Sequence, residues 1–373
     1  MSTDRVIRFL KFKPQWVVFL TIFVVAIVKS GVWVMGNLEA SRQIALSPFA
    51  RPFENHDADY LINSWFINFV AHILDFTTPT KYLMLHVVLT VMSVFIGFKI
   101  VSRQIPGKLL TYAIVIFALL PVNAGIFYWI GMDGVLVCCF MLTFFLKNPL
   151  ARISMGIIIG MQHFEIGLVA ILSLIAYDVA AQKSRFALKK MENSLTLFAG
   201  LLLGKFFLSL IFRSSGLVLQ ETRFSLGFEN FRHNMVVHVR FLPAAIFTMF
   251  GVLWLLVLKM DAHNKRAFLL ATTIPIAASL FVWDQTRILQ VSSTLLAMRA
   301  LVLNKELLSL ISLSELKYLL LAWFVVPWIW IWQAFLGPVT GYDIMYIYSR
   351  IFDTGTAPSG PALFWWAFPR TLL

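Results

Sequence analysis

Charged residues and cysteine are both scarce in this chain. Of its 373 residues only 13% are Asp, Glu, Lys or Arg, whereas 60% are hydrophobic and 35 are Phe. A soluble domain carries about 25% charged residues, so the composition excludes an ordinary soluble fold. The only two cysteines, Cys138 and Cys139, are adjacent in an apolar segment. They exclude a disulfide framework, and neither has the basic surroundings of a reactive thiolate.

Long apolar runs recur along the chain, each ended by charge or by Pro and Gly. A bilayer core roughly 30 Å thick needs about 20 apolar residues per helix, and about eleven such segments fit. Because only helices and closed barrels satisfy every backbone group in lipid, we predict an all-α, polytopic transmembrane bundle, residues 1–373 forming a single domain. The first run, at about 16–35, lacks a small-residue cleavage site and is interpreted as an uncleaved helix.

The net charge of +13 does not indicate a nucleic-acid partner, because the Lys and Arg residues lie in short loops between helices rather than on one basic face. Cytoplasmic loops of membrane proteins are rich in Lys and Arg. This rule places the basic N-terminus in the cytoplasm. It also predicts that Lys99, Arg103 and Lys108 return to the same side.

Residues 153–180 pose a topological problem. Arg152 precedes them, and Lys183, Arg185, Lys189 and Lys190 follow, so both ends favour the cytoplasm. Two short helices that turn near His163 satisfy this condition if the turn is buried in protein or lines a wet cavity. One long helix is the alternative.

Three segments are predicted to lie outside the membrane core on the non-cytoplasmic side: a first external loop with an interfacial helix at 36–81, a polar loop at 213–240, and a C-terminal segment at 337–373. The interfacial helix is predicted at 61–76, where Asn63, Asn68, His72 and Asp75 interrupt an apolar sequence. A last spanning helix is predicted at about 318–336.

The first external loop contains the acidic motif Asp57-Ala-Asp59, preceded by His56. Two carboxylates at this spacing can hold a divalent cation such as Mg²⁺ or Mn²⁺, or can act as a base and its orienting partner. A solvated acidic loop is the bland interpretation, and the sequence leaves the metal question open.

An acidic D-x-D or E-x-D motif in the first external loop, followed by an interfacial helix and about eleven spans, resembles the GT-C superfamily of membrane glycosyltransferases. The resemblance covers the topology of the whole chain but only a few residues of motif. It implies a sugar donor linked to polyprenyl phosphate or pyrophosphate, and a glycan, lipid or protein acceptor. It further implies a periplasmic or luminal active site, here in a bacterial inner membrane, with Asp57 and Asp59 as the catalytic pair.

Further ionisable residues are expected at the same external mouth. Asp133 lies in a Gly-flanked turn, where it either shapes the pocket or caps a helix. His163 and Glu165 combine an imidazole with a carboxylate, which suits acid-base catalysis; a structural hydrogen-bonded pair is the alternative. Ionisable side chains at membrane depth usually face an interior cavity.

Cationic residues are candidates for binding the carrier phosphate. Arg287 offers a guanidinium fork, although it lies three residues after Asp284 and the two can simply pair. Lys205, within an apolar helix, has the same potential or snorkels to the interface. His56 of the first external loop is a further candidate. The polar loop at 213–240 adds Arg223, Arg232 and His233, for which anionic lipid headgroups are the competing partner.

Two other functions remain as alternatives. A lipid-linked-sugar transporter or flippase would also place charged residues in the membrane, but the chain shows no internal repeat between its halves. A membrane acyltransferase would pair His with an acidic residue, but the sequence lacks a convincing motif of that class. A glycosyltransferase is therefore the preferred hypothesis.

Overall fold

The computed structural model describes residues 3–32, 37–51, 59–182, 188–217, 228, 231, 234–235, 243, 245–282, 284–325, 329–332 and 335–338. For residues 3–4, 59–60, 188–190 and those from 324 onward, it describes the backbone alone.

Helices dominate the described residues. They are α1 (Thr3–Phe12), α2 (Gln15–Ser30), α3 (Leu38–Leu46), α4 (Trp65–Ile73), α5 (Pro79–Gln104), α6 (Leu109–Ala118), α7 (Pro121–Tyr128), α8 (Met132–Thr143), α9 (Pro149–Ala180), α10 (Leu188–Ser214), α11 (Trp254–Lys259), α12 (Ala262–Ser279), α13 (Gln285–Ser292), α14 (Thr294–Leu303) and α15 (Leu313–Val325). Short 3₁₀ helices occur at Asp59–Asn63, Gly251–Leu253 and Lys305–Leu310.

Five helical stretches in the described part of the chain are long and apolar enough to cross a membrane: Pro79–Gln104, Leu109–Tyr128, Pro149–Ala180, Met191–Ser214 and Gln285–Leu303. Shorter apolar helices accompany them at Gln15–Ser30, Met132–Thr143 and Ala245–Lys259. Large apolar side chains such as Phe95 and Phe206 are more than half exposed, as expected for surfaces that face lipid. The chain is a helical integral membrane protein.

Local sequence explains where several helices begin and break. The hydroxyl of Thr78 accepts the backbone N–H of Lys81, and Pro79 occupies the first position of α5, where its missing N–H costs nothing. The span that follows is divided at Leu119 and Leu120, because Pro121 cannot continue the α6 hydrogen-bond ladder. Pro121 instead begins α7.

The first part of α9 runs parallel to α10. A Cβ built on Gly200 would lie 2.1 Å from the carbonyl oxygen of Ile153, and one on Gly204 would lie 2.3 Å from that of Ile157. A step of four residues along α9 therefore matches a step of four residues in the same direction along α10, as in parallel helices. Only glycine allows two backbones to approach so closely.

The second part of α9 runs in the reverse direction. Ser194, near the start of α10, donates a 3.2 Å hydrogen bond to Asp178, near the end of α9. A Cβ on Gly167 would lie 2.5 Å from the side chain of Ile159. Those two residues are separated by two turns and would be about 12 Å apart in a continuous helix.

Residues 149–180 therefore form a helical hairpin that reverses at His163, whose backbone is non-helical (φ −163°, ψ 86°). By length alone the segment counts as one 32-residue span. The contacts nevertheless confirm the hairpin that the flanking positive charges predict, and they overturn the single long helix.

Two predicted boundaries need revision. The helix predicted at 318–336 is wrong beyond Val325, where α15 ends. Residues Ile329–Trp332 (β1) and Phe335–Pro338 (β2) instead pair as antiparallel strands, with Trp332 opposite Phe335. Pro327 disfavours a continuing helix, and the Ile-Trp repeat favours a strand. The segment 61–76, predicted as one interfacial helix, is divided between the 3₁₀ helix Asp59–Asn63 and α4, which ends at Ile73, and the loop also contains α3.

Candidate active site

Arg287 lies between two buried carboxylates. Its Nε is 3.2 Å from Oδ2 of Asp133 and 3.2 Å from Oδ2 of Asp284. The two carboxylate side chains are 4% and 8% exposed, and the arginine side chain is 23% exposed. One N–H cannot point at both oxygens, and neither contact has hydrogen-bond geometry. These residues, which we call the Arg287 cluster, therefore share charge as an ion-pair triad.

Helix ends hold both carboxylates of the Arg287 cluster. Asp284 is the N-cap of α13, and its side chain accepts the backbone N–H of Arg287 at 3.4 Å. Asp133 lies in the first turn of α8, whose N-cap is Gly131. Each negative charge thus meets the positive end of a helix dipole. The predicted pairing of Asp284 with Arg287 is confirmed. The alternative in which Asp133 acts as a helix cap is not observed, because its carboxylate is directed to Arg287.

His163 and Glu165 lie at the turn of the α9 hairpin. Nδ1 of His163 is 3.4 Å from Oε2 of Glu165, and the backbone N–H of Ile166 approaches the same nitrogen at 3.5 Å. A protonated Nδ1 donates to the carboxylate, whereas a bare Nδ1 accepts from the backbone, so the two contacts correspond to different tautomers. The turn thus places an imidazole beside a carboxylate, a combination that acid-base catalysis can use.

Polar contacts connect the hairpin turn to residues 63–67 of the first loop and to α8. Oε1 of Gln162 accepts the backbone N–H of Ile67 at 3.0 Å, and its Nε2 lies 3.6 Å from the sulfur of Met132. Nζ of Lys205 lies 3.3 Å from Oδ1 of Asn63 and 5.4 Å from the centre of the Phe164 ring. Since Met132 precedes Asp133, these contacts place the hairpin turn, the first loop and the Arg287 cluster at one end of the bundle, here called the site end.

The structure thus brings six of the predicted residues to the site end: Asp133, His163, Glu165, Lys205, Asp284 and Arg287. Asp59 begins the 3₁₀ helix Asp59–Asn63, but its side chain is outside the described part. His56, Asp57, Arg223, Arg232 and His233 lie outside the described residues.

Among the described residues no group of three or more His, Cys, Asp or Glu side chains could hold a metal ion. Asp57 is not described, and Asp59 is described only by its backbone. Binding of a divalent cation by this pair stays a prediction.

Several buried polar residues near the site end were not identified from the sequence as functional. The hydroxyl of Tyr82 donates to Oδ1 of Asn68 at 2.5 Å, and Nδ2 of Asn68 donates to the carbonyl of Ser64 at 3.0 Å. The His86 ring lies edge-on to Tyr82 at 4.8 Å and is fully buried. The signal was available, since each is a polar residue on an otherwise apolar helix face.

A hydrogen-bonded pair in the first loop joins α3 to the start of α5. Nε of Arg42 donates to Oε2 of Glu39 at 2.8 Å, and its Nη1 donates to the carbonyl of Thr77 at 2.8 Å. The side-chain hydrogen bonds from Arg42 hold the pKa of Glu39 below its ordinary value. The loop is therefore anchored on both sides of the α4 segment.

A second buried charge pair lies at the end of the bundle away from His163. Nε and Nη2 of Arg299 each lie 3.1 Å from Oδ1 of Asp178, whose other oxygen accepts from Ser194. The cluster joins the return arm of the hairpin, α10 and α14. Its residues were not predicted to interact, because nothing in their spacing indicates a contact.

Comparison with known proteins gave no match: no family model, no curated protein and no solved structure matches this chain.

Proposed function

We propose that this protein is a GT-C-type membrane glycosyltransferase that transfers a sugar from a polyprenyl-phosphate or pyrophosphate carrier to a glycan, lipid or protein acceptor. The observation that carries the proposal is the convergence at the site end. The Arg287 cluster, the His163–Glu165 pair and the first external loop with Asp59 belong to distant parts of the sequence and are connected there by Gln162 and Lys205.

In the proposed reaction, an acceptor hydroxyl attacks the anomeric carbon of the donor and gives its proton to Asp57 or Asp59. The bond from that carbon to the carrier oxygen breaks, and its electron pair leaves with the phosphate. The configuration at the carbon inverts. Cationic groups stabilise the charge that develops on the leaving oxygen.

Arg287 is the candidate for this stabilisation. Its contacts with Asp133 and Asp284 hold the guanidinium at one position, so that it can meet the developing charge with little rearrangement. Arg223, Arg232 and His233 of the polar loop would supplement it. His163 and Glu165 would bind a sugar hydroxyl or relay its proton.

The proposed topology has about eleven membrane segments, a cytoplasmic N-terminus and the site end on the periplasmic face of a bacterial inner membrane. The hairpin supports it, because reversal at His163 returns Arg152 and Gln182, the residue that precedes Lys183 in the sequence, to the same side. Positive charge then accumulates on the cytoplasmic side, as membrane insertion favours.

The Asp178–Arg299 pair favours a second candidate, a transporter of lipid-linked sugars. A carrier needs groups that close both ends of a pathway, and this pair lies at the end opposite to the Arg287 cluster. A transporter would move its substrate without forming a glycosidic bond, so product analysis separates the two functions.

The test uses the full-length protein in proteoliposomes with radiolabelled polyprenyl-phosphate sugars and a panel of acceptors. Wild-type protein is expected to release labelled glycoside, and Asp57→Asn and Asp59→Asn should each abolish transfer without loss of folded protein. Asp75→Asn is the matched control, because Asp75 is an exposed partner of Lys81 and its positive φ of 55° suits asparagine. Full transfer by both loop variants would refute the proposal.

A further inference from the structure

We infer that Gln162 and Lys205 are positioning residues that fix the Asp59-bearing 3₁₀ helix against the hairpin turn. This inference rests on the proposed function for its catalytic meaning, but the structural coupling itself can be measured without a substrate. We call residues 59–68 the loop anchor segment.

Gln162 caps a helix to which it does not belong. The first backbone N–H groups of α4 have no partner within that helix, and Ser64, its N-cap, makes no side-chain cap hydrogen bond. Oε1 of Gln162 accepts one of these, the N–H of Ile67, at 3.0 Å. Gln162 is fully buried. Loss of its acceptor would leave a buried N–H without this partner.

Lys205 holds the other end of the loop anchor segment. Its ammonium lies 3.3 Å from Oδ1 of Asn63, the last residue of the 3₁₀ helix. It also lies over the Phe164 ring, next to the hairpin turn. The neighbouring Phe206 is 56% exposed on the lipid-facing side of α10. A lysine at this depth is costly, and the contacts with Asn63 and Phe164 offset part of that cost.

Close packing at glycines places Gln162 and Lys205 at the same level along the two helices. A Cβ on Gly160 would lie 2.4 Å from the carbonyl of Leu201, and one on Gly204 would lie 2.3 Å from that of Ile157. Gly160 precedes Gln162 by two residues, and Gly204 immediately precedes Lys205. The close backbone contact therefore fixes the positions from which the side chains of Gln162 and Lys205 extend to the loop anchor segment.

The loop anchor segment is also fixed from the opposite side. Tyr82 of α5 donates to Asn68, which in turn donates to the carbonyl of Ser64. Leu61 of the loop anchor segment is only 5% exposed, so the reactivity of a thiol at its position reports on opening of the segment. A segment held from both sides can present Asp59 with little rearrangement, which is what a catalytic base requires.

The test is thiol protection at position 61 in full-length protein in proteoliposomes. Cys138 and Cys139 are replaced by Ala, and Leu61→Cys is labelled with a membrane-impermeant maleimide. Gln162→Leu and Lys205→Met are each expected to raise the labelling rate about three- to tenfold, the effect of losing one net hydrogen bond on local opening. Thr196→Val is the matched control, because its hydroxyl bonds only to carbonyls of its own helix.

A conservative variant separates positioning from general destabilisation. Lys205→Arg keeps a cationic donor and should label within about twofold of the parent. If Lys205→Met does not fold, Asn63→Ala removes the same contact from its partner and should raise labelling equally. The inference would be overturned if labelling were unchanged in Gln162→Leu, Lys205→Met and Asn63→Ala. An equal rise in the control Thr196→Val would also overturn it.

The positioning role and the proposed function can be refuted independently of each other. If Gln162→Leu and Lys205→Met raise labelling but wild-type protein transfers no sugar, the positioning role is supported and the proposed glycosyltransferase function is wrong. If wild-type protein transfers sugar, Gln162→Leu and Lys205→Met should lower kcat at least tenfold, and Lys205→Arg should retain it.

Discussion

The Ser194 hydroxyl donates a hydrogen bond to the buried carboxylate of Asp178. This contact is incompatible with a straight α9, because Ile153, in the first arm of the same segment, already packs against Gly200. A helix that passed Gly200 in the direction of α10 would move away from Ser194. The reversal at His163 therefore controls which residues can meet at the site end.

The Arg287 cluster makes a prediction about stability. Arg287→Met leaves two carboxylates in the interior without their cation and is expected to destabilise the folded protein by about 3–5 kcal/mol. Asp133→Asn leaves Arg287 paired with Asp284 and should cost less, about 1–3 kcal/mol. Thermal unfolding of the purified protein in nanodiscs measures both.

The exposed Lys81–Asp75 pair is the control for that experiment. Asp75 is 83% exposed in the side chain, and Lys81→Met should change stability by less than about 1 kcal/mol. If Arg287→Met has no larger effect than Lys81→Met, the Arg287 cluster is not the buried ion-pair site described above.

The two Gly-x-x-x-Gly stretches, 156–160 and 200–204, should tolerate no side chain. Gly204→Ala and Gly156→Ala place a methyl group within 2.4 Å of a carbonyl oxygen on the facing helix, and each should destabilise the protein by about 1–3 kcal/mol. The Leu203 side chain on α10 is 41% exposed, and Leu203→Ala should lower the free energy of unfolding by less than about 1 kcal/mol. Equal effects at the two faces would contradict the close arm-to-α10 packing.

Glu165 allows a prediction about chemistry. If Glu165 and His163 act together in proton transfer, Glu165→Gln keeps the shape of the side chain but lowers sugar transfer by about a hundredfold or more. The unfolding temperature should change little, because the side chain is 25% exposed. A large loss of stability with normal turnover per folded molecule would instead assign the pair a structural role.

Much of the helical architecture follows from local sequence. Thr78 and Pro79 mark the start of α5, and Pro121 marks the break after α6. The hairpin follows from a different signal, the positive charges that flank residues 153–180 on both sides. These features are local or depend on charge counts along the chain, so the order of the remaining elements does not affect them.

Contacts between distant elements were harder to predict. The Gly-x-x-x-Gly pattern is visible in both α9 and α10, but it does not specify which helix is the partner. The meeting of Asp133 with Arg287, and of Gln162 with Ile67, depends on the packing of four different helices. The strand pair after Val325 was missed because an apolar run suits a buried helix as well as a strand.

The account depends most directly on the hairpin, and single-cysteine accessibility tests it. In protein with Cys138 and Cys139 replaced by Ala, one thiol is placed at Lys147, Glu165 or Gln182 and labelled from each side of sealed vesicles. The hairpin predicts that Lys147→Cys and Gln182→Cys react from the side of the N-terminus and that Glu165→Cys reacts from the other side. Labelling of Lys147→Cys and Gln182→Cys from opposite sides would contradict the hairpin and remove His163 and Glu165 from the proposed active site.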